Sequence, residues 1–384
     1  MTETIDNEID LKYKKVVSVI NSAGGTPLPV TNTLVDILKH IINENELDFV
    51  LAFKKNKSQT LEQLKQSSKL KKEEIVKRIE ILAKKGVMFN QPNRQGVMVY
   101  RLLPFINVGI FEYTFMKELE YTEENKDLAT LFYRMQQELR NFVQANYDNV
   151  VPFMLKQLPI DRTVPILLNK VTGKEIEIIV NQDLDVPIEK VLPAQSVEEL
   201  INKFDDIAVG HCFCRHHKDL LGEPCKQTEK RENCFTFGKS ARHVSENGFG
   251  RLITKEEALT ILKEAKEDGL VHKAYHPNFD VSKDETSICN CCACCCGQSP
   301  KNLIGVTINS TNFIAKFNED ICKGCGTCVE KCHTTAIELN ENNKAELTGE
   351  FCIGCGVCAY FCPENAISMI EGKRVVKIPP PRQR

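Results

Sequence analysis

Apolar residues recur at helical spacing through the first third of the chain. Leu34, Ile37, Leu38, Ile41 and Ile42 predict an amphipathic helix over residues 33–46, while residues 1–25 carry only a weak pattern and are expected to fold against that segment. Thr60 opens a short helix through Leu61 and Leu64, and Ser67-Ser68-Lys69-Leu70 reads as a turn. Ile75, Ile79 and Leu82 then line one face of a helix over residues 72–85 that Gly86 closes. Alternating stretches at residues 87–89 and 97–102 predict two strands around the polar turn 90–96. After an apolar run at residues 103–112, a long helix following Thr122 puts Leu128, Leu131, Phe132, Met135, Leu139, Phe142 and Val143 on one stripe, which reads as core or an inter-domain seam. Residues 152–193 are strand-like and punctuated by proline, with Ile176, Ile178 and Val180 alternating, and read as a connector. Two capping boxes, Ser196 with Glu199 and Thr254 with Glu257, open further helices, the second ending at Gly269.

The order helix, helix, turn, helix, hairpin resembles the winged helix-turn-helix domains of MarR- or ArsR-like regulators. Residues 54–101 hold thirteen Lys and Arg against four Glu, a local excess of nine positive charges, which is the electrostatic footprint expected for nucleic acid. Against that, several of the lysines share a solvated helix face with Glu73, Glu74 and Glu80, and the helix that would serve for recognition carries no group of Asn, Gln and Arg for base edges. A docking module for protein is the competing reading of the same segment.

The cysteines change the picture. All eighteen lie between Cys212 and Cys362, a clustering that points to metal rather than to a disulfide framework. Residues 322–333 read CKGCGTCVEKCH and residues 352–363 read CIGCGVCAYFCP, so the four cysteines of one run repeat thirty residues later. Three thiolates at i, i+3 and i+6 can wrap one loop around three irons of a cubane, with glycines at 324, 326, 354 and 356 allowing close backbone approach. Zinc also uses cysteine pairs at this spacing, but two pairs per ion rather than a triple and a distant fourth. Residues 305–371 resemble the two-cluster 4Fe-4S bacterial-type ferredoxins. That resemblance implies one cluster on Cys322, Cys325, Cys328 and Cys362 and another on Cys352, Cys355, Cys358 and Cys332, each run lending its fourth cysteine to the other cluster. Pro363 ends the second run, whereas His333 stands at the equivalent place in the first, next to a cluster ligand whose potential it could raise.

The remaining ten are candidate metal ligands: Cys212, Cys214, Cys225, Cys234, Cys289, Cys291, Cys292, Cys294, Cys295 and Cys296. Six cysteines in eight residues cannot all address one metal. They suffice for two four-cysteine sites with two to spare, for example Cys212, Cys214, Cys225 and Cys234 in one and a selection from residues 289–296 in the other. Mixed sets, in which neighbouring cysteines serve different irons, are equally open, as is zinc with His211, His216, His217, His272 or His276 as nitrogen ligands. The blander role of these histidines is hydrogen bonding behind the ligands or at the surface. With its CxCRHH and ICNCCACCC stretches, the segment 193–300 resembles a domain of multi-cluster 4Fe-4S ferredoxin-type proteins of anaerobic bacteria and archaea, which implies cluster binding rather than a reaction.

Other chemistry is excluded or unsupported. Asn233 stands where a phosphate loop ending in Gly238-Lys239-Ser240 needs glycine, and no GxGxxG follows a strand. The net charge of −2 dictates no partner, the first fifteen residues are acidic where a signal peptide is basic, and no apolar run reaches membrane-spanning length. The sequence therefore predicts a cytoplasmic, multi-domain α+β protein suited to an anaerobic or strongly reducing interior. Expected divisions are a winged helix-like domain at 1–115, a connector at 116–195, a Cys-rich metal-binding domain at 196–304, a dicluster ferredoxin domain at 305–372 and a flexible tail at 373–384. The function expected is iron-sulfur electron transfer to a redox partner protein, as a component of an oxidoreductase rather than a complete enzyme, with two 4Fe-4S clusters and one or two additional Fe-S clusters or zinc. The rivals are a redox-responsive regulator that binds DNA through the winged helix, and an enzyme with an open cluster site among residues 289–296. Oligomeric state is not encoded legibly.

Overall fold

The computed structural model describes residues 8–24, 28–93, 95–159, 161–180, 196–276 and 284–383. The amino-terminal part is mainly helical. Helix Glu8–Asn21, which the weak pattern did not predict as a helix, buries Tyr13, Val16, Val17 and Ile20 in one core with Leu34, Ile37 and Leu38 of the next segment. The single helix expected over 33–46 is two, Asn32–Ile41 and Glu44–Leu51, because Asn43 caps a new helix and its N–H donates to the Glu46 carboxylate at 2.9 Å. That break lets Ile42 turn fully inward.

Helices Leu61–Ser68 and Lys72–Lys84 fall where the periodicity puts them, joined through Lys69 at a positive φ of 59°. Strands β1 (Ser58–Gln59), β2 (Met88–Pro92) and β3 (Met98–Leu102) form a small antiparallel sheet in the order β1-β3-β2. Helix Glu123–Ala145 starts from Thr122 as expected, and its Phe132 and Met135 pack into the same core as the first three helices, while Phe142 is exposed.

The rest of the chain is built on one sheet. Its strands are β4 (Asp161–Val164), β5 (Ile178–Val180), β6 (Ile207–His211), β7 (Glu232–Phe237), β8 (Arg251–Leu252), β9 (Val271–Tyr275), β10 (Ser287–Cys291), β11 (Thr307–Phe317) and β14 (Ile367–Ile378). Among the described residues these nine pair in the order β5-β14-β11-β4-β9-β10-β7-β6-β8. The long antiparallel pair β11 and β14 flanks the two cysteine runs, and the hairpin β12 (Ile337–Leu339) with β13 (Ala345–Leu347) lies between those runs. β4 joins the two halves, parallel to β11 on one side and antiparallel to β9 on the other. The connector is thus part of the sheet, which runs straight through the division expected at 304/305. β14 continues to Ile378 and so takes in half of the expected tail; Tyr147 and Gln144 then donate to the carbonyls of Pro380 and Pro381. Both capping positions hold: Ser196 makes the full box with Glu199, and Thr254 accepts from the Glu257 N–H, although the Glu257 carboxylate pairs with Arg251 instead.

Candidate metal centres

The two cysteine runs fold into two hollows. One is lined by Cys322, Cys325, Cys328 and Cys362, the other by Cys332, Cys352, Cys355 and Cys358. Each fourth cysteine therefore lines the other run's hollow. The two runs are built alike: the Ala336 N–H donates to Cys332 Sγ and the Ala366 N–H to Cys362 Sγ, both at 3.3 Å. Gly354 and Gly356 have φ of 61° and 75°, and a Cβ on either would lie 2.1 Å from a carbonyl oxygen, of Phe313 and Ile166 respectively. No other residue fits there. Burial pushes the Cys328 thiol up to about 11 and Cys355 up to about 12, so both stay protonated at neutral pH unless a cation takes the proton's place. The first hollow opens to solvent at exposed Cys325, whereas in the second Cys352 and Cys358 are buried.

The other ten thiols separate into a ring of six and a group of four. Sheet register builds the ring. Cys289 and Cys291 are two apart on β10 and so share a face, and Cys234 on β7 lies directly opposite Cys289. Cys212 follows the end of β6, and Cys214 lies in the first turn of helix Phe213–Leu220. Around the ring Cys212 neighbours Cys214 and Cys234, Cys214 neighbours Cys296, Cys296 neighbours Cys291, and Cys289 closes the circuit between Cys291 and Cys234. So many thiols at close quarters cannot all ionise together. Cys212 is held well below the ordinary thiol range by Cys214 and Cys234, and Cys296 by Cys214 and Cys291, while Cys214, Cys234 and Cys289 are pushed up by their neighbours.

The group of four lies just beyond the end of β10. Cys225, Cys292, Cys294 and Cys295 have all their sulfurs within 4.8 Å of one another, with Cys225 to Cys294 at 3.4 Å and Cys294 to Cys295 at 3.6 Å. The division suggested as an example from sequence thus places Cys225 wrongly, because it groups residues by distance along the chain. In the structure adjacent cysteines part company: Cys291 and Cys296 enter the ring, whereas Cys292 and Cys295 turn to the group of four.

Buried charge surrounds both. Arg215, fully buried, lies between the groups and donates to the Asn290 carbonyl at 3.1 Å and to Asn233 Oδ1. Burial opposes its charge, but the thiolates of Cys212, Cys292 and Cys234 outweigh it and hold its pKa above the ordinary value. Lys273, also buried, pairs with Asp161 at 3.1 Å; burial again opposes the charge, and Asp161, Cys291 and Cys296 sustain it. Buried cations at these positions fit an anionic cofactor held by thiolates.

The histidines do not join the thiol groups as ligands. Among the described residues, the set gathered tightly enough for one ion consists of cysteines alone. His216 Nδ1 donates to the Phe115 carbonyl at 3.0 Å and His217 Nε2 to the Ala129 carbonyl at 2.9 Å, tying the helix behind Cys212 and Cys214 to the amino-terminal core. His272 donates to Asn290 Oδ1, and His211 packs on His216 with ring centres 5.0 Å apart. His276 is buried. His333 is different: buried beside Cys332, it also lies close to Cys296 and thereby adjoins the ring of six. Cys355 of the second hollow packs in the same apolar cluster as Cys289, Cys291 and Cys296.

The amino-terminal hairpin is also engaged. Gln91 on β2 donates to Glu246 at 2.7 Å, and His243 donates to Asn90 Oδ1 at 2.9 Å while stacking on Phe89. Of the basic residues counted above, Lys65 pairs with Glu62, Arg78 with Glu74, and Lys85 with buried Glu46.

Residues 315–369 match the family model of the 4Fe-4S dicluster domain. A stretch of 33 residues is 48% identical to "Probable ferredoxin" of Methanosarcina thermophila; it covers 9% of this chain and 57% of that protein. No solved structure matches. Among the described residues no helix is long and apolar enough to cross a membrane. By its cysteine clusters and its dicluster segment, this is an iron-sulfur protein with a ferredoxin-like domain at residues 315–369.

Proposed function

We propose that the chain is an electron-transfer protein, a subunit or partner of an oxidoreductase, that carries two 4Fe-4S clusters and passes electrons onward to further metal centres in its Cys-rich part. Cys322, Cys325, Cys328 and Cys362 would hold one cluster and Cys332, Cys352, Cys355 and Cys358 the other; each supplies single-electron chemistry at low potential when bound. The ring of six would hold a further iron-sulfur centre. The observation that carries the reading is the packing of Cys355 of the second hollow in one apolar cluster with Cys289, Cys291 and Cys296 of the ring, with His333, next to Cys332, close to Cys296. That packing would give the buried second cluster a short path to the ring, while exposed Cys325 would leave the first cluster open to a partner at the surface.

The residues around these sites do three things. They exclude water, as the burial of Cys212, Cys234, Cys291 and Cys296 requires. They offset anionic charge through Arg215 and Lys273, which tunes potential. They also orient the thiols by register on β6, β7 and β10. The amino-terminal helices and hairpin would act as a winged helix-like docking module. Engagement of β2 by Gln91 and Asn90, and neutralisation of Arg78 and Lys85, support docking on protein rather than on a duplex.

The test is the iron and acid-labile sulfide content of anaerobically purified protein, with paramagnetic resonance of the reduced state. The reading expects about eight irons for the two clusters and further iron for the ring. Fewer than about eight after full reconstitution overturns it.

A further inference from the structure

We propose that Cys225, Cys292, Cys294 and Cys295 bind a single zinc ion as a closed tetrathiolate, distinct from every iron-sulfur centre of the chain. This goes beyond the reading above by assigning a structural centre, beside the ring, that carries no electrons. A tetrahedral ion with Zn–S bonds of about 2.3 Å needs thiolate sulfurs about 3.8 Å apart. The four sulfurs meet that requirement, all lying within 4.8 Å of one another, with two contacts at 3.4 and 3.6 Å. A cubane places each thiolate on a different iron and spreads them farther. The cysteines of the two ferredoxin hollows, although gathered around common spaces, do not meet the 4.8 Å condition as a set, and neither does the ring of six. Among the described residues there are therefore two kinds of thiol site, and only this one has the dimensions of one ion.

The surroundings agree with a structural ion. Four protein ligands leave no open position for a substrate. Two side chains fix the loop independently of the sulfurs: Gln227 accepts from the Ala293 N–H at 3.0 Å, and Asn302 donates to the carbonyls of Cys294 and Cys296 at 2.9 and 3.2 Å; the Cys295 N–H in addition donates to Cys292 Sγ at 3.4 Å. Arg215 beside Cys292 offsets part of the charge that four thiolates leave on a divalent ion. Binding exchanges thiol protons for Zn–S bonds and involves no change of oxidation state. Because Cys292 adjoins Cys291 and Cys295 adjoins Cys296, the ion would fix the backbone that presents two members of the ring.

X-ray absorption at the zinc edge of the full-length, iron-loaded protein tests this. The expected result is about one zinc per chain, with four sulfur neighbours at about 2.3 Å and no iron within bonding distance of those sulfurs. The double variant Cys225→Ser with Cys294→Ser should reduce zinc to near zero; the single variant Cys225→Ser, which removes only a partly exposed ligand, should already replace one sulfur neighbour by oxygen or lose the ion. Zinc that stays unchanged in both variants, mononuclear iron in its place, or loss of matched iron and sulfide with no zinc signal in the wild type would each overturn the proposal. The zinc spectrum is read independently of the cluster count, so failure of the electron-transfer reading and failure of the zinc site give different results.

Discussion

The ferredoxin-like segment and the ten-thiol segment use the same amino acid in opposite ways. In residues 322–362, order along the chain foretells grouping in space: each triple wraps its own hollow, and only Cys332 and Cys362 cross over. In residues 212–296, order along the chain misleads. Cys225 leaves its sequence neighbours for Cys292, Cys294 and Cys295, while Cys289, Cys291 and Cys296 go to Cys212, Cys214 and Cys234. The difference is architectural. A loop that wraps a cluster encodes its ligand set in spacing, whereas a site at the ends of adjacent strands encodes it in register.

The most severe way to break the comparison is to remove ring members. Cys289→Ser with Cys296→Ser should abolish all iron beyond about eight per chain while the paramagnetic signals of the two cubanes survive, as measured by iron analysis and spin quantitation. Next in size is Arg215→Met. Deleting a buried cation among thiolates leaves their charge uncompensated, and a stability loss of about 3–5 kcal/mol is expected in denaturant unfolding of metal-loaded protein. Arg215→Lys should recover part of it.

Smaller still is the link between the two segments. His333→Pro makes the first run like the second and removes the imidazole close to Cys296. Reduction of the ring by way of the ferredoxin clusters should slow by about tenfold or more, read by stopped-flow absorbance or freeze-quench spectroscopy, with metal content unchanged. Equal rates in the variant would detach the two segments electronically.

Acid should reveal the tie to the amino-terminal core. Burial pushes His217 and His243 down to about 4. An unfolded imidazole titrates near about 6.5, so the stability these neutral rings contribute is complete above about 6.5 and is lost as pH falls towards 4, by up to ~1.4 kcal/mol per pH unit for each ring. His217→Gln should flatten the fall measured between pH 7 and 5 by about one proton's worth. The smallest effect is expected for Gln91→Ala, which removes one hydrogen bond to Glu246 and should cost about 1 kcal/mol.

How much of this was written legibly follows from the same contrast. The thirty-residue repeat of the two runs was plain in the sequence, whereas the assignment of Cys332 and Cys362 to opposite runs came from the ferredoxin resemblance and not from the spacing. The helices at 61–68, 72–84 and 123–145 were readable from apolar spacing and from Thr60 and Thr122 as caps. The first helix was overlooked although Tyr13, Val16, Val17 and Ile20 carry the i, i+3, i+4, i+7 spacing; flanking charges dilute the window average. The split of the ten thiols had a faint signal in Cys289 and Cys291, whose two-residue spacing on a strand puts them on one face and leaves Cys292 beyond the strand's end. Pairing of Cys234 with Cys289, and passage of one sheet through the expected 304/305 division, depend on contacts between distant segments that no local pattern encodes. His333 was singled out as a departure from proline, yet its contact with Cys296 belongs to the packing of one segment on the other.

The central claim is that the ring of six holds iron in addition to the two cubanes. Mössbauer spectroscopy of protein loaded with iron-57, compared with the variant Cys289→Ser and Cys296→Ser, addresses it most directly. The account predicts a wild-type spectrum with a component beyond two cubanes that vanishes in the variant while the cubane components persist. A wild-type spectrum accounted for in full by two cubanes, unchanged in the variant, would contradict it.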